Sequence, residues 1–134
     1  MKITTQGEYG LRCVLNIAQG KGEAVTIEEI CRQEGLSTDY VEQLLMRLRR
    51  AGIVESQRGP GGGYLLGNQP NNIKVKDVIL ALENNPFEII CRKFMRKKIK
   101  CNRGNGCKIM GLWQKVTKSV EKILAEVSIA DLIK

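Results

Sequence analysis

Through most of the chain, apolar residues recur at intervals of three and four, the period of helices that bury one face. Ile27, Ile30 and Cys31 follow Thr26 in this way, and Val41, Leu44, Leu45 and Leu48 repeat the spacing behind Ser37. The two predicted helices are joined only by Gly35-Leu36-Ser37, and two short helices on a tight glycine turn are the signal of a helix-turn-helix. An earlier helix is predicted from Thr5 to about Gln19. There Thr5-Gln6-Gly7-Glu8 fits a capping box, with Glu8 reaching back to a backbone donor, and Gly20-Lys21-Gly22 breaks the pattern. Val75, Val78, Ile79 and Leu82 mark a fourth helix that ends near Asn84-Asn85-Pro86. Leu112, Val116, Val120, Ile123, Leu124 and Val127 mark a longer one from about Ile109 to Val127, and Ser128 caps a last turn over Ile129–Ile133.

Between the third and fourth helices the pattern changes. Ile53-Val54-Glu55-Ser56-Gln57-Arg58 reads as a strand and Tyr64-Leu65-Leu66 as its partner. The connection, Gly59-Pro60-Gly61-Gly62-Gly63, is a hairpin tip almost without side chains, which lets the backbone approach a ligand closely. A phosphate-cradling loop fits poorly, because no Lys-Ser/Thr follows and the run joins two strands. The predicted fold is mainly α with a small β-hairpin wing: a winged helix-turn-helix plus a long C-terminal dimerisation helix. The expected divisions are a DNA-binding domain over 1–72, a connecting helix over 73–90, a cysteine-rich loop over 91–108 and the dimerisation helix over 109–134. Pairing is expected because a chain of 134 residues has too small a core to cover the last apolar stripe alone. A second copy would place two reading heads on one duplex.

Composition narrows the function. The chain contains no histidine, which removes the usual general base, catalytic triads and common zinc sites; an enzyme is not expected. Two Phe, three Tyr and one Trp are too few for a single-strand binder that stacks bases on aromatic rings. No apolar run has membrane-spanning length and no signal peptide opens the chain, so a soluble cytoplasmic protein is expected. Lys and Arg number 22 against 14 Asp and Glu, a net charge of +8, which points to a polyanionic partner. Residues 1–58 are balanced, with eight basic and eight acidic side chains, whereas residues 92–108 hold eight basic residues and no acidic one.

In a helix-turn-helix, the N-terminal residues of the second helix reach base edges. Here these are Ser37, Thr38, Asp39, Tyr40, Glu42 and Gln43. Gln43 suits adenine in the major groove, while Glu42 accepts from a cytosine amino group or repels phosphates at wrong sites. Arg47, Arg49 and Arg50 are placed for phosphates. Arg58, at the base of the wing, is placed for the minor groove, and Gly59 beside it for close backbone approach.

Five cysteines are an odd number for a disulfide framework. Cys13 and Cys31 fall on helical stripes and read as small core residues. Cys91, Cys101 and Cys107 share one loop, with nine and five residues between them. Three thiolates with an open fourth position suit an iron–sulfur cluster, and the surrounding cations favour the thiolate form. Zinc suits the set less well, for lack of Cys-x-x-Cys pairs and histidine.

These strings together resemble the Rrf-two family of bacterial winged-helix regulators. The resemblance rests on Thr4-Thr5-Gln6-Gly7-Glu8-Tyr9-Gly10, on Ser37 to Tyr40, on Glu42-Gln43-Leu44 and Arg47-Leu48-Arg49, and above all on Arg58-Gly59-Pro60-Gly61-Gly62-Gly63-Tyr64-Leu65-Leu66. The cysteine loop running into Gly111-Leu112-Trp113 is most similar to the branch that binds iron–sulfur clusters. The resemblance implies a homodimer joined through its C-terminal helices, a 2Fe–2S cluster on Cys91, Cys101 and Cys107, and binding of a palindromic promoter site that depends on the cluster. Two departures stand out: the first cysteine gap is nine residues rather than five, and Met110 stands where that branch carries a histidine ligand. Nitric-oxide sensors of the family use a carboxylate at the position of Glu8, supplied by the other subunit, so the resemblance makes Glu8 the candidate for the fourth ligand, with its capping role as the alternative. The implied role is sensing of iron–sulfur status and control of cluster-assembly genes. The alternatives are a nitric-oxide or redox sensor with the same cluster and a clusterless thiol-based regulator. A cluster-carrying electron-transfer protein would have no use for Ser37–Arg58 and the wing.

Overall fold

The computed structural model describes residues 1–89 and 107–133; Cys91, Cys101 and the basic run between them lie outside the described residues. Three helices come first: α1 (Thr5–Ala18), α2 (Ile27–Glu34) and α3 (Thr38–Arg50). An antiparallel pair follows, β1 (Val54–Gln57) and β2 (Gly63–Leu66), in the register Val54–Leu66 to Gln57–Gly63. A short 3₁₀ turn over Pro70–Asn72 leads to α4 (Val75–Leu82), and the C-terminal region holds α5 (Lys108–Glu126) and α6 (Ile129–Leu132). This is the winged helix-turn-helix with a long C-terminal helix that the periodicity predicts.

Local signals set most boundaries. Thr26 Oγ1 accepts from Glu29 N while Glu29 Oε2 accepts from Thr26 N, a reciprocal capping box at the start of α2. Gly35 ends that helix in the left-handed region (φ 67°), where a residue without Cβ is favoured. Ser37 Oγ then accepts from Tyr40 N and opens α3. The wing gains a third edge, since Val25 and Tyr64 exchange both backbone hydrogen bonds. Gly63 permits this closeness: its φ is 152°, and a Cβ there would stand 2.5 Å from the carbonyl oxygen of Val25.

One expectation about α1 is overturned. The cap is Thr4, whose Oγ1 accepts from Gln6 N, and Glu8 does not reach back to it. Glu83, just past α4, takes that duty: its Oε1 accepts from Thr4 N, Thr4 Oγ1 and Gly7 N. The third helical residue counted from Thr4 is Gly7, which has no side chain to complete a local box. Burial alone would push the Glu83 carboxyl up, but the bonds from Thr4 and Gly7, together with the Arg47 charge, outweigh it and hold the group below the usual carboxylate range.

Side chains from α1 to α4 and the wing close one core. Cys13, Val14, Ile30, Val41, Leu45, Leu48, Val78 and Leu82 are wholly buried. The C-terminus returns to this core through Ile129, also wholly buried, and backbone bonds from Val75 N to Val127 O and Ile129 N to Ile73 O fix its approach. Ser128 caps α6 with Asp131 as its reciprocal partner. Helix α5 differs: along its 19 residues only Thr117 is buried, while Ile109, Leu112, Val116 and Ile123 are 38–59% exposed.

Candidate nucleic-acid interface and cysteine site

Helix α3 turns Val41, Leu44, Leu45 and Leu48 into the core. The same turns carry Thr38, Asp39, Glu42, Gln43 and Arg49 into solvent, so these expected readers are accessible together on one helix. Ser37 is also exposed, with its hydroxyl engaged on Tyr40 N at 3.3 Å; it holds the start of the reading helix. Tyr40 is half-buried and edge-on to Tyr9, with ring centroids 6.1 Å apart, an arrangement worth more than the buried area alone. Tyr40 therefore anchors α3 to α1. Arg58 and Gly59 are exposed at the base of the wing, where Gly59 has a φ of 94°.

Arg47, placed for phosphates by its helix position, also meets a partner within the chain. Its guanidinium donates to Gln6 Oε1 at 2.6 Å, tying the middle of α3 to the first turn of α1. Met46, which sequence reasoning passed over, is exposed to 47%. Its position one helical turn beyond Gln43 was the available signal.

The cysteines separate into two environments. Cys13 is wholly buried; burial, with the Glu34 charge and Cys31 adding to it, pushes its thiol up to about 12. Such a thiol is inert near neutral pH. Cys31 is half-buried and packs against the same core. Cys107 is half-buried at the N-cap position of α5. Glu8 lies on the exposed side of α1, its side chain 56% exposed and 3.0 Å from Arg12 Nε. Arg12 also reaches Glu34 at 3.6 Å and sits 5.4 Å from the Tyr9 ring centre. Among the described residues no group of three or more Cys, Asp or Glu stands together to hold a metal ion; Cys91 and Cys101 lie outside the described residues.

A helix-turn-helix with exposed polar residues on its second helix and a glycine-tipped wing defines a DNA-binding transcriptional regulator. The Rrf2 (Rrf-two) family, described as iron-dependent transcriptional regulator, matches residues 3–134, and the chain belongs to this family. The HTH-type transcriptional regulator IscR of Xenorhabdus nematophila is 35% identical over 135 residues, covering 100% of this chain and 80% of the relative. Among solved structures, IscR of T. potens is 36% identical with a TM-score of 0.79, covering 99% of this chain and 86% of that one. CymR, the global cysteine regulator of B. subtilis, is 30% identical with a TM-score of 0.83, covering 99% and 96%. These relatives are transcriptional regulators rather than enzymes, and so is this protein. No described helix is long and apolar enough to cross a membrane.

Proposed function

We propose that this chain is a homodimeric regulator that binds a palindromic promoter site and senses iron–sulfur status through a 2Fe–2S cluster, controlling cluster-assembly genes. Cys91, Cys101 and Cys107 would hold the cluster together with Glu8 of the partner subunit. The observation that carries the cluster reading is the release of Glu8 from capping. Glu83 satisfies the first turn of α1, so the Glu8 carboxylate faces outward, engaged by one exposed arginine. Such a pair is weak and readily exchanged. The donor chemistry fits as well, because Cys107 stands half-buried at the start of α5 and cysteine sulfur is the usual ligand of such clusters. When bound, the cluster would supply a one-electron redox centre sensitive to its ligands and solvent access.

Dimerisation supports both halves of the proposal. Ile109, Leu112, Val116 and Ile123 follow helical spacing along α5 and lie open to solvent; a second α5 would cover them. Two reading helices would then address two half-sites.

The test is anaerobic purification followed by a visible spectrum and iron and sulfide assays. The expected result is a coloured protein with about two iron and two sulfide per chain, lost on Cys107→Ala. A colourless protein after reconstitution would overturn the cluster. The similarity to CymR, a cysteine regulator, favours one second reading, a clusterless regulator of thiol metabolism. Promoters recovered with the protein separate these readings: cluster-assembly genes for the first, sulfur-metabolism genes for the second, and nitrosative-stress genes for a nitric-oxide sensor with the same cluster.

A further inference from the structure

Met46 occupies an unusual place for an apolar side chain. At about 3.6 residues per turn, Asp39, Gln43, Met46 and Arg50 share the line along α3 opposite the buried Val41, Leu44, Leu45 and Leu48. Met46 is thus near the centre of the outward face, 47% exposed, with exposed Glu42, Gln43, Arg49 and Arg50 around it. Among the described residues, the other large exposed hydrophobics of the helices, Leu80 of α4, Leu132 of α6 and those along α5, belong to elements outside the helix-turn-helix. A lone thioether ringed by charge is too small an apolar surface for a protein interface. The major groove offers it a fitting partner: the 5-methyl group of a pyrimidine is the apolar feature among the hydrogen-bonding groups of the base edges. Methionine is unbranched and polarizable, so it adapts to such a group without fixed geometry.

We infer that Met46 is a specificity-determining residue that contacts a pyrimidine 5-methyl group in the major groove, next to the base edge read by Gln43. The inference rests on α3 being the reading helix. It leaves the cluster and its ligands unconstrained.

The experiment uses the full chain, with and without reconstituted cluster, on a duplex site selected from a random library. Each thymine of the site is replaced in turn by deoxyuridine, which removes only the methyl group, and each cytosine by 5-methylcytosine, which adds one. Removing the contacted methyl should weaken wild-type binding about fourfold, the effect of exposing one buried methyl-sized group. Met46→Ala should be indifferent to the methyl at that position, and Met46→Leu should restore the sensitivity. Sensitivity at a thymine identifies the unmodified base as the target, and sensitivity appearing only at an added cytosine methyl identifies methylated cytosine. Because Met46 is exposed, both variants should unfold at the wild-type midpoint. Site-selective binding in which every methyl effect is the same in wild type and Met46→Ala overturns the inference alone. Failure to select any duplex overturns the reading-helix assignment and the inference with it.

Discussion

The winged-helix region and helix α5 carry apolar stripes of the same helical period, yet they meet different fates. From α1 to α4 the stripes find one another: Val14, Leu45, Leu48 and Leu82 are 0% exposed. Along α5, Leu112 and Ile123 remain 53% and 59% exposed, while Thr117 is buried, Val120 and Leu124 are half-buried, and Glu121 pairs with Lys76 of α4 at 2.8 Å. Periodicity tells that a face will be buried; whether the covering surface lies in the same chain depends on how much core remains to be shared. Helices owe most of their stability to such burial, which is why the proposed pairing of two chains is assigned to α5 and not to the winged helix.

The sharpest way to break this comparison is to charge the stripe. Replacing Leu112→Glu and Ile123→Glu together would bury carboxylates without partners in a paired α5. Self-association should weaken by more than about a thousandfold, read by sedimentation equilibrium, while amide chemical shifts over residues 5–66 stay those of the folded winged helix. An unchanged dimer would place its interface elsewhere. Loss of the winged-helix signals would show that the two regions fold as one.

A glycine in each region supplies a matched pair of smaller perturbations. A Cβ on Gly10 of α1 would overlap Leu82 Cδ1, and Leu82 is wholly buried, so Gly10→Ala should cost about 1–3 kcal/mol in chemical denaturation. A Cβ on Gly111 of α5 meets nothing within 4 Å. In the charged-stripe background, where no second chain covers it, Gly111→Ala should stabilise by about 0.5–1 kcal/mol through helix propensity. Equal effects at the two sites would show that α5 is packed as tightly as α1.

What was legible in the sequence follows from the range of each interaction. Thr26 with Glu29, Gly35 and Ser37 act within three or four residues, and the helices begin and end where those signals place them. The exposed residues of α3 were legible for the same reason, since an amphipathic helix sets the outward face once the inward one is known. Glu83 was not legible as the partner of Thr4, because 79 residues separate them and the local string Thr5-Gln6-Gly7-Glu8 offered a plausible alternative. The partner of Arg47 was not legible either: Gln6 lies 41 residues away, and only the fold brings that acceptor to it.

The Glu83 bond set makes a pH prediction with a definite sign. The folded carboxyl is held below its ordinary value, so its stabilising contribution is complete above the unfolded value, about 4.3. It is lost as pH falls through that value toward the lower folded one, where the unfolded chain binds more protons. Glu83→Gln should therefore cost about 1 kcal/mol at neutral pH and flatten the acid side of the stability profile, as followed by urea denaturation between about pH 6 and pH 3. A variant with the wild-type slope would show that other carboxylates set the acid limit.

The smallest expected change in stability is the most informative about the cysteine region. As a helix cap, Glu8 would support α1, and Glu8→Ala would lower the unfolding midpoint. The structure gives that duty to Thr4 and Glu83 and leaves Glu8 in an exposed pair with Arg12, of a kind that contributes little in water. The cluster-free Glu8→Ala variant should accordingly unfold at the wild-type midpoint. If Glu8 is the fourth ligand, the same substitution should bleach or destabilise the reconstituted cluster in the visible spectrum. The two measurements oppose one another usefully: a shifted midpoint with an intact spectrum would return Glu8 to a structural role in the winged helix, whereas a lost spectrum with an unshifted midpoint would make it the point at which one subunit's reading domain answers to the cysteines of the other.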